Sequence, residues 1–187
     1  MTQYMNFEEF KAETIKLAAE HGYCQESKDA LEAATKYTDI INHAKKWLVW
    51  SYEAGWFTEA ILNKLDPQTL HKNGIYFNAD FNEGHGLVTA GTVAVFGDAE
   101  VVVTSGEVLL SENAKAYVYG DENCIIRASG KSRIISNGLE TIYAEESVFI
   151  KRNGVATIFA KGQSTVYSRG NENVKLEGDS IYKRSKQ

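Results

Sequence analysis

GVATIFAK (Gly154–Lys161), GQSTVYSR (Gly162–Arg169) and GNENVKLE (Gly170–Glu177), followed by Gly178, are consecutive copies of one eight-residue unit. Each has a Gly, small residues, an aliphatic residue at the centre and a turn. Stepping outward from Ile158 by eights reaches Val102, Leu110, Val118, Ile126, Ile134, Ile142, Ile150, Val166 and Val174, every one aliphatic. Self-similarity at a fixed period marks a repeat architecture, in which a unit buries its apolar face only by stacking on its neighbours. Gly recurs four residues after the centre at 106, 130, 138, 154, 162, 170 and 178, where a tight corner needs unhindered backbone. The unit reads as a strand of about five residues followed by a corner. Stacked, such units make a parallel β-helix, or β-solenoid.

Strand side chains alternate faces, so residues two before and two after the centre share its inward side. These are mostly small: Ala116, Cys124, Ser132, Ala156 and Ser164 before it, and Ala128, Ser136, Ala144, Ala160 and Ser168 after it. Glu140, Arg152, Glu172 and Leu176 break the rule and are expected at looser spots. The number of strands per rung follows from which spacing puts like residues in columns. A spacing of 24 aligns Tyr119, Tyr143 and Tyr167, and also Arg127, Lys151 and Lys175. It predicts three strands per rung and a triangular solenoid. The small inward residues argue for a thinner, two-sheet one.

Residues 1–74 have a different texture. Asn6 with Glu9 three residues on is a capping box, and Gly22 stops the helix it opens. Ser27 and Thr38 are expected as further N-caps, and Asp66-Pro67 as a cap and first helical residue. The chain is thus predicted to be α+β in two parts: an α-helical head or cap over 1–74, a junction over 75–91, and a β-solenoid over 92–187 with a basic tail. The 187 residues, 43% of them hydrophobic, can bury a core in one or two domains. The net charge of −5 weighs against nucleic acid and anionic membrane as partners. MTQYMNFEEF lacks the basic start and apolar core of a signal peptide, and no apolar run reaches the roughly 18 residues of a membrane span. Cys24 and Cys124 do not suggest a disulfide framework, so a reducing, cytoplasmic location is expected.

The unit Gly-x-small-Thr-Ile/Val-x-small-x, best seen in GVATIFAK and GQSTVYSR, resembles the octapeptide-repeat β-solenoids of bacterial mobile elements and their phages. The likeness covers about residues 92 to 181. It implies the fold and a phage or prophage origin, and it brings no catalytic residue with it.

Reactive side chains are scattered. His21, His43, His71 and His85 show no metal-ligand spacing, and neither Cys has a His or acid nearby in sequence. Glu8-Glu9 and Glu145-Glu146 are adjacent pairs that diverge on their elements rather than acid–base dyads. No catalytic residue, metal site or cofactor is predicted. Trp47, Trp50 and Trp56 read as core of the head. The outward columns carry the functional expectation. On the 24-residue spacing, Tyr119, Tyr143 and Tyr167 stack on one face beside Tyr117, Thr141 and Thr165. Tyr is enriched at interfaces because it is apolar, rigid and able to hydrogen-bond. The basic column Arg127, Lys151, Lys175 is a second candidate, since stacked like charges await an acidic partner.

These features predict a non-enzymatic protein-binding solenoid. The resemblance extends this to a mobile-element accessory protein that binds and inhibits a host protein such as a defence nuclease. The alternative is a virion or filament component that self-associates through open solenoid ends. A third reading, an enzyme at the junction around His85 in Glu83-Gly84-His85-Gly86, has the least support.

Overall fold

The computed structural model describes residues 4–185. They divide into two compact units between Phe77 and Asn78.

The first unit holds α1 (Phe7–His21), α2 (Gln25–Ala33), α3 (Tyr37–Lys46), α4 (Leu48–Glu53), α5 (Glu59–Leu62), α6 (Pro67–Lys72) and β1 (Ile75–Phe77). The capping box forms as expected: the Glu9 N–H donates to Asn6 Oδ1 at 3.0 Å, and the Asn6 N–H to Glu9 Oε2 at 2.9 Å. Asp66 accepts the Thr69 N–H ahead of Pro67. Two other caps differ from expectation. Cys24 stands at the N-cap of α2, which leaves Ser27 inside the helix. At α3 it is Asp39 that accepts the N–H groups of Thr35 and Lys36, so Thr38 is not the cap. Ile40, Ile41, Ala44 and Leu48 are buried, as is Trp56. Trp47 is not core. It sits where α3 and α4 break, 42% exposed, with Lys46 over its ring.

The second unit is a parallel solenoid. Its strands are β2 (His85–Val88), β3 (Thr92–Val95), β4 (Glu100–Val103), β5 (Glu107–Leu110), β6 (Lys115–Val118), β7 (Ile125–Ala128), β8 (Arg133–Ser136), β9 (Thr141–Ala144), β10 (Phe149–Arg152), β11 (Thr157–Ala160), β12 (Thr165–Ser168), β13 (Val174–Leu176) and β14 (Ile181–Arg184). The even-numbered strands pair in order in one sheet and the odd-numbered in another. We call these the even and odd sheets. A rung is therefore two strands, not three. The core explains the correction. Ile134, Ile150 and Val166 from the even sheet and Ile126, Ile142 and Ile158 from the odd sheet are fully buried. Only Ala, Ser and Cys flank most of them, so the two sheets approach too closely for a third wall. The solenoid also starts before residue 92, because β2 is already paired with β4. His85 accordingly lies in a strand and not in a junction loop.

Rung length varies along the stack. His85 pairs with Glu100, and Glu100 with Lys115, fifteen residues apart; Lys115 then pairs with Arg133, eighteen apart. From Arg133 on, each rung is sixteen, as in Arg133↔Phe149 and Phe149↔Thr165. The long corner 119–124 between β6 and β7 is the source of the extra length. Counting by eights passes through it without a visible slip, yet the places shift. Leu110 and Val118 remain inward at the last strand position rather than the second. Val102 takes an outward strand position, in register with Tyr117, yet is fully buried, and Val174 is only half-buried.

The corners that return the chain from odd to even sheet need a left-handed residue at their second position. Gly130 (φ 68°) and Gly162 (φ 73°) supply it, and in alternate rungs Glu112 (φ 59°) and Glu146 (φ 63°) do so. A Cβ on Gly130 would come within 2.8 Å of the Glu112 nitrogen in the rung below. The glutamates offset their backbone strain by accepting backbone N–H groups, Glu112 from Gly97 at 3.0 Å and Glu146 from Gly130 at 2.8 Å.

Two charged residues lie inside. Arg152, 6% exposed, is a stitch between rungs and not a loose spot. Its Nε donates to Ser168 Oγ at 2.7 Å, its Nη1 to the Glu172 and Ala156 carbonyls at 2.6 and 3.1 Å, and its Nη2 to the Gly170 carbonyl. Glu140 is fully buried, and neither carboxyl oxygen has a hydrogen-bond partner. Burial pushes its carboxyl above the usual carboxylate range, outweighing the opposing pull of the nearby Ser136 hydroxyl and Gly138 N–H, neither of which reaches hydrogen-bond geometry.

Candidate protein-interaction surface

With sixteen-residue rungs, residues 24 apart fall on opposite sheets. The expected tyrosine column is therefore dispersed. Tyr167 projects from the outer side of the even sheet, Tyr143 from that of the odd sheet, and Tyr119 lies in the long corner. Tyr117 and Thr165 are on the even sheet and Thr141 on the odd. Arg127 and Lys175 share one odd-sheet column, whereas Lys151 is on the even sheet between Ile135 and Tyr167.

The odd column alternates in a way the sequence did not suggest. Arg127, Tyr143, Phe159 and Lys175 follow one another up the stack. The Arg127 guanidinium lies 4.9 Å from the Tyr143 ring centre. Tyr143 and Phe159 stack at 5.1 Å, and Lys175 Nζ is 5.2 Å from the Phe159 centre. Two aromatic rungs thus separate the cations predicted to repel, and each cation sits on a ring face. Acids border this column. Glu107 pairs with Arg127 at 2.6 Å, and Glu145 with Lys161 at 2.7 Å. A shallow groove of ≈ 370 Å³ beside Tyr143 and Phe159 is rimmed by Glu145, Lys161, Lys175 and Glu177.

The outer side of the even sheet has another composition. From β6 to β14 its outward positions are Lys115 and Tyr117, Arg133 and Ile135, Phe149 and Lys151, Thr165 and Tyr167, Ile181 and Lys183. Four are cations and none is acidic, on a chain of net charge −5. The residues that follow each strand from β8 on, Asn137, Asn153, Arg169 and Ser185, add no acid either. Glu100, one rung below, pairs with Lys115 at 3.4 Å. The aromatics interlock with the cations. Arg133 is 5.2 Å from the Phe149 centre, Phe149 and Tyr167 are 5.1 Å apart, and Lys183 is 5.4 Å from the Tyr167 centre. Lys115 lies 4.6 Å from the Tyr117 centre.

Two clusters elsewhere hold reactive groups. In the first unit, Cys24 Sγ is 3.5 Å from Ser27 Oγ, which is 3.1 Å from His43 Nε2. The fold assembles this trio from residues the sequence leaves apart, because one turn of α2 brings Ser27 onto the face that meets α3. The Ser27 hydroxyl and N–H hold the exposed Cys24 thiol below its ordinary range. Burial pushes the His43 imidazole down and keeps it neutral. Ser27 and His43 are both buried, with the His43 ring stacked on Trp56, so neither reaches a substrate. In the solenoid, Cys124 is buried near Glu140; burial, then the Glu140 and Asp121 carboxyls, push its thiol up to about 12. Such a thiol is inert. Among the described residues no three His, Cys, Asp or Glu side chains cluster as a metal site, and no helix is long and apolar enough to cross a membrane.

Comparison with protein families, curated proteins and solved structures finds no match to this chain.

Proposed function

We propose that this chain is a non-enzymatic protein-binding solenoid whose contact surface is the outer side of the even sheet. One observation carries the reading: an acid-free strip of interlocked cations and aromatics spans β8 to β14 of an acidic protein. Aromatic and Arg side chains on a rigid, flat scaffold are what protein interfaces favour, because little side-chain entropy is lost on binding. Burial of Ser27, His43, Cys124 and Glu140 within the packed interior supports a binding role over catalysis. Such a protein would act in a reducing, cytoplasmic setting, where the unpaired Cys24 and Cys124 are stable. The octapeptide resemblance extends the proposal to a mobile-element accessory protein that holds and inhibits a host protein, for instance a defence nuclease. Fold alone does not choose the partner.

Affinity capture from a bacterial lysate with mass spectrometry tests the reading. The parent is compared with a variant carrying Arg133→Gln, Lys151→Gln and Lys183→Gln. A specific partner lost with that variant is the expected result. Equal capture by both proteins would remove the even face from the account.

The second reading, self-association, is favoured by β13 and β14, which end the two sheets among the described residues. Open strand edges template pairing with another chain. Light scattering on the full chain distinguishes it, since a filament former grows with concentration.

A further inference from the structure

We propose that the even face recognises a carboxylate-rich polypeptide surface and not the bases of a single-stranded nucleic acid. The inference rests on the interaction surface proposed above and names the chemistry of its partner.

Basic and aromatic side chains together suit two classes of ligand, acidic proteins and single-stranded nucleic acids. Which class fits depends on the ring faces. A nucleobase binds by stacking on an open aromatic face. Here the faces are already occupied. Arg133 covers Phe149 at 5.2 Å, Phe149 and Tyr167 cover one another at 5.1 Å, and Lys183 covers Tyr167 at 5.4 Å. Lys115, two residues earlier on the same strand, lies 4.6 Å from the Tyr117 ring centre. At Phe149 and Tyr167, contacts between successive rungs turn the ring faces along the solenoid axis and leave ring edges outward. Ring edges carry the positive part of the aromatic quadrupole. The strip thus presents positive edges alternating with cationic heads, without an acid among its outward positions from β6 to β14. Its complement is a surface of carboxylates.

The odd face supplies an internal control. It too carries two contacting rings capped by cations, stacked at 10° where Phe149 and Tyr167 tilt at 37°, but Glu107, Glu145 and Glu177 border them. If rings alone sufficed, both faces would bind alike. If uncompensated positive charge decides, only the even face binds.

Fluorescence anisotropy on the full chain at low salt tests this with two labelled probes, poly-L-glutamate and oligodeoxythymidylate. Poly-L-glutamate is expected to bind the parent about tenfold or more tightly than the oligonucleotide, and to weaken as salt rises. The variant with Arg133→Gln, Lys151→Gln and Lys183→Gln is expected to lose about tenfold or more of poly-L-glutamate affinity. The odd-face variant with Arg127→Gln and Lys175→Gln should stay within about twofold. Circular dichroism melts of both variants confirm that they fold. Tighter binding of the oligonucleotide would overturn the proposal in favour of a nucleic acid. Failure of poly-L-glutamate to bind, or equal binding to the even-face variant, would overturn it as well. If a captured partner still depends on the even face in that case, the surface stands and the carboxylate chemistry falls. If capture is also independent of the face, the surface itself falls.

Discussion

The even and odd sheets are built from the same repeat and share one core, yet their outer sides differ. Inward, Ile134 and Ile150 of the even sheet are matched by Ile142 and Ile158 of the odd sheet, all fully buried. Outward, the even sheet carries Arg133, Lys151 and Lys183 with no acid among its outward strand positions from β6 on, whereas the odd sheet balances Arg127 against Glu107. The repeat fixes the inward positions because the narrow interior admits little variation. It leaves the outward positions free, and there the two faces have diverged.

The largest effects are expected where the sheets are equivalent. Ile142→Asp in the odd sheet and Ile150→Asp in the even sheet each bury an unpaired charge and should cost upwards of about 4 kcal/mol. Urea denaturation of both variants checks this. A loss at one site several times that at the other would mean the two walls are not equivalent. Arg152 tests the inside of the same comparison, for it stands in a column with Ser136 and Ser168. Arg152→Ser installs the residue of the neighbouring rungs but leaves the Gly170 and Glu172 carbonyls without their donor. A loss of about 2–4 kcal/mol is expected in the same experiment. No loss would mean the guanidinium is not the stitch between rungs.

A smaller, pH-dependent effect is expected at Glu140, the other charged intruder. Its folded-state carboxyl titrates above its unfolded value. The folded state therefore holds the proton more tightly. Stability is highest below the unfolded carboxyl range and falls as pH rises from there through the raised folded value. Glu140→Gln should remove that slope. Thermal melts from pH 4 to pH 8 should show variant and parent close at the acid end. The variant should then become more stable by about 1–3 kcal/mol toward neutral pH. Parallel pH profiles would contradict the buried, unpartnered carboxyl.

The solenoid was legible in the sequence because its inward positions are constrained by burial at a fixed step. The eight-residue step shows in Ile126 through Val166, all buried as predicted. The number of strands per rung was harder to read. Tyr119, Tyr143 and Tyr167 aligned at a spacing of 24, but outward residues are not constrained by packing, so their likeness carries no register. The better guide was the narrow interior, with Ala156 and Ala160 flanking Ile158. The corner glycines at 16-residue intervals, such as Gly162 and Gly178, point the same way, since positive φ is a backbone requirement. The long corner 119–124 stayed hidden because its two extra residues carry the count from the fourth strand position, at Leu110 and Val118, to the second, at Ile126 and Ile134, and both positions face inward. The proposed contact face could not be read from the sequence while its rung was taken as three strands. Tyr117, Lys151, Thr165 and Tyr167 of the predicted residues fall on it, and Arg133, Phe149 and Lys183, which share that face, were not among them. Cys24 and Ser27 stand three residues apart, but their link to His43 is a tertiary contact with no local signature.

The smallest stability effects are expected outside. Lys151→Glu and Lys175→Glu should each stay within about 0.5 kcal/mol of the parent, and only the first should weaken partner capture. Equal weakening by both would erase the distinction between the faces.

The central claim, that contact is made through the even sheet alone, is tested most directly by lysine acetylation footprinting of the captured complex. Lys151 and Lys183 lie on the even face, and Lys161 and Lys175 mark the odd side. The account predicts that partner binding protects Lys151 and Lys183 from acetylation and leaves Lys161 and Lys175 as reactive as in the free protein. Protection of Lys161 and Lys175, with Lys151 and Lys183 unchanged, would contradict it.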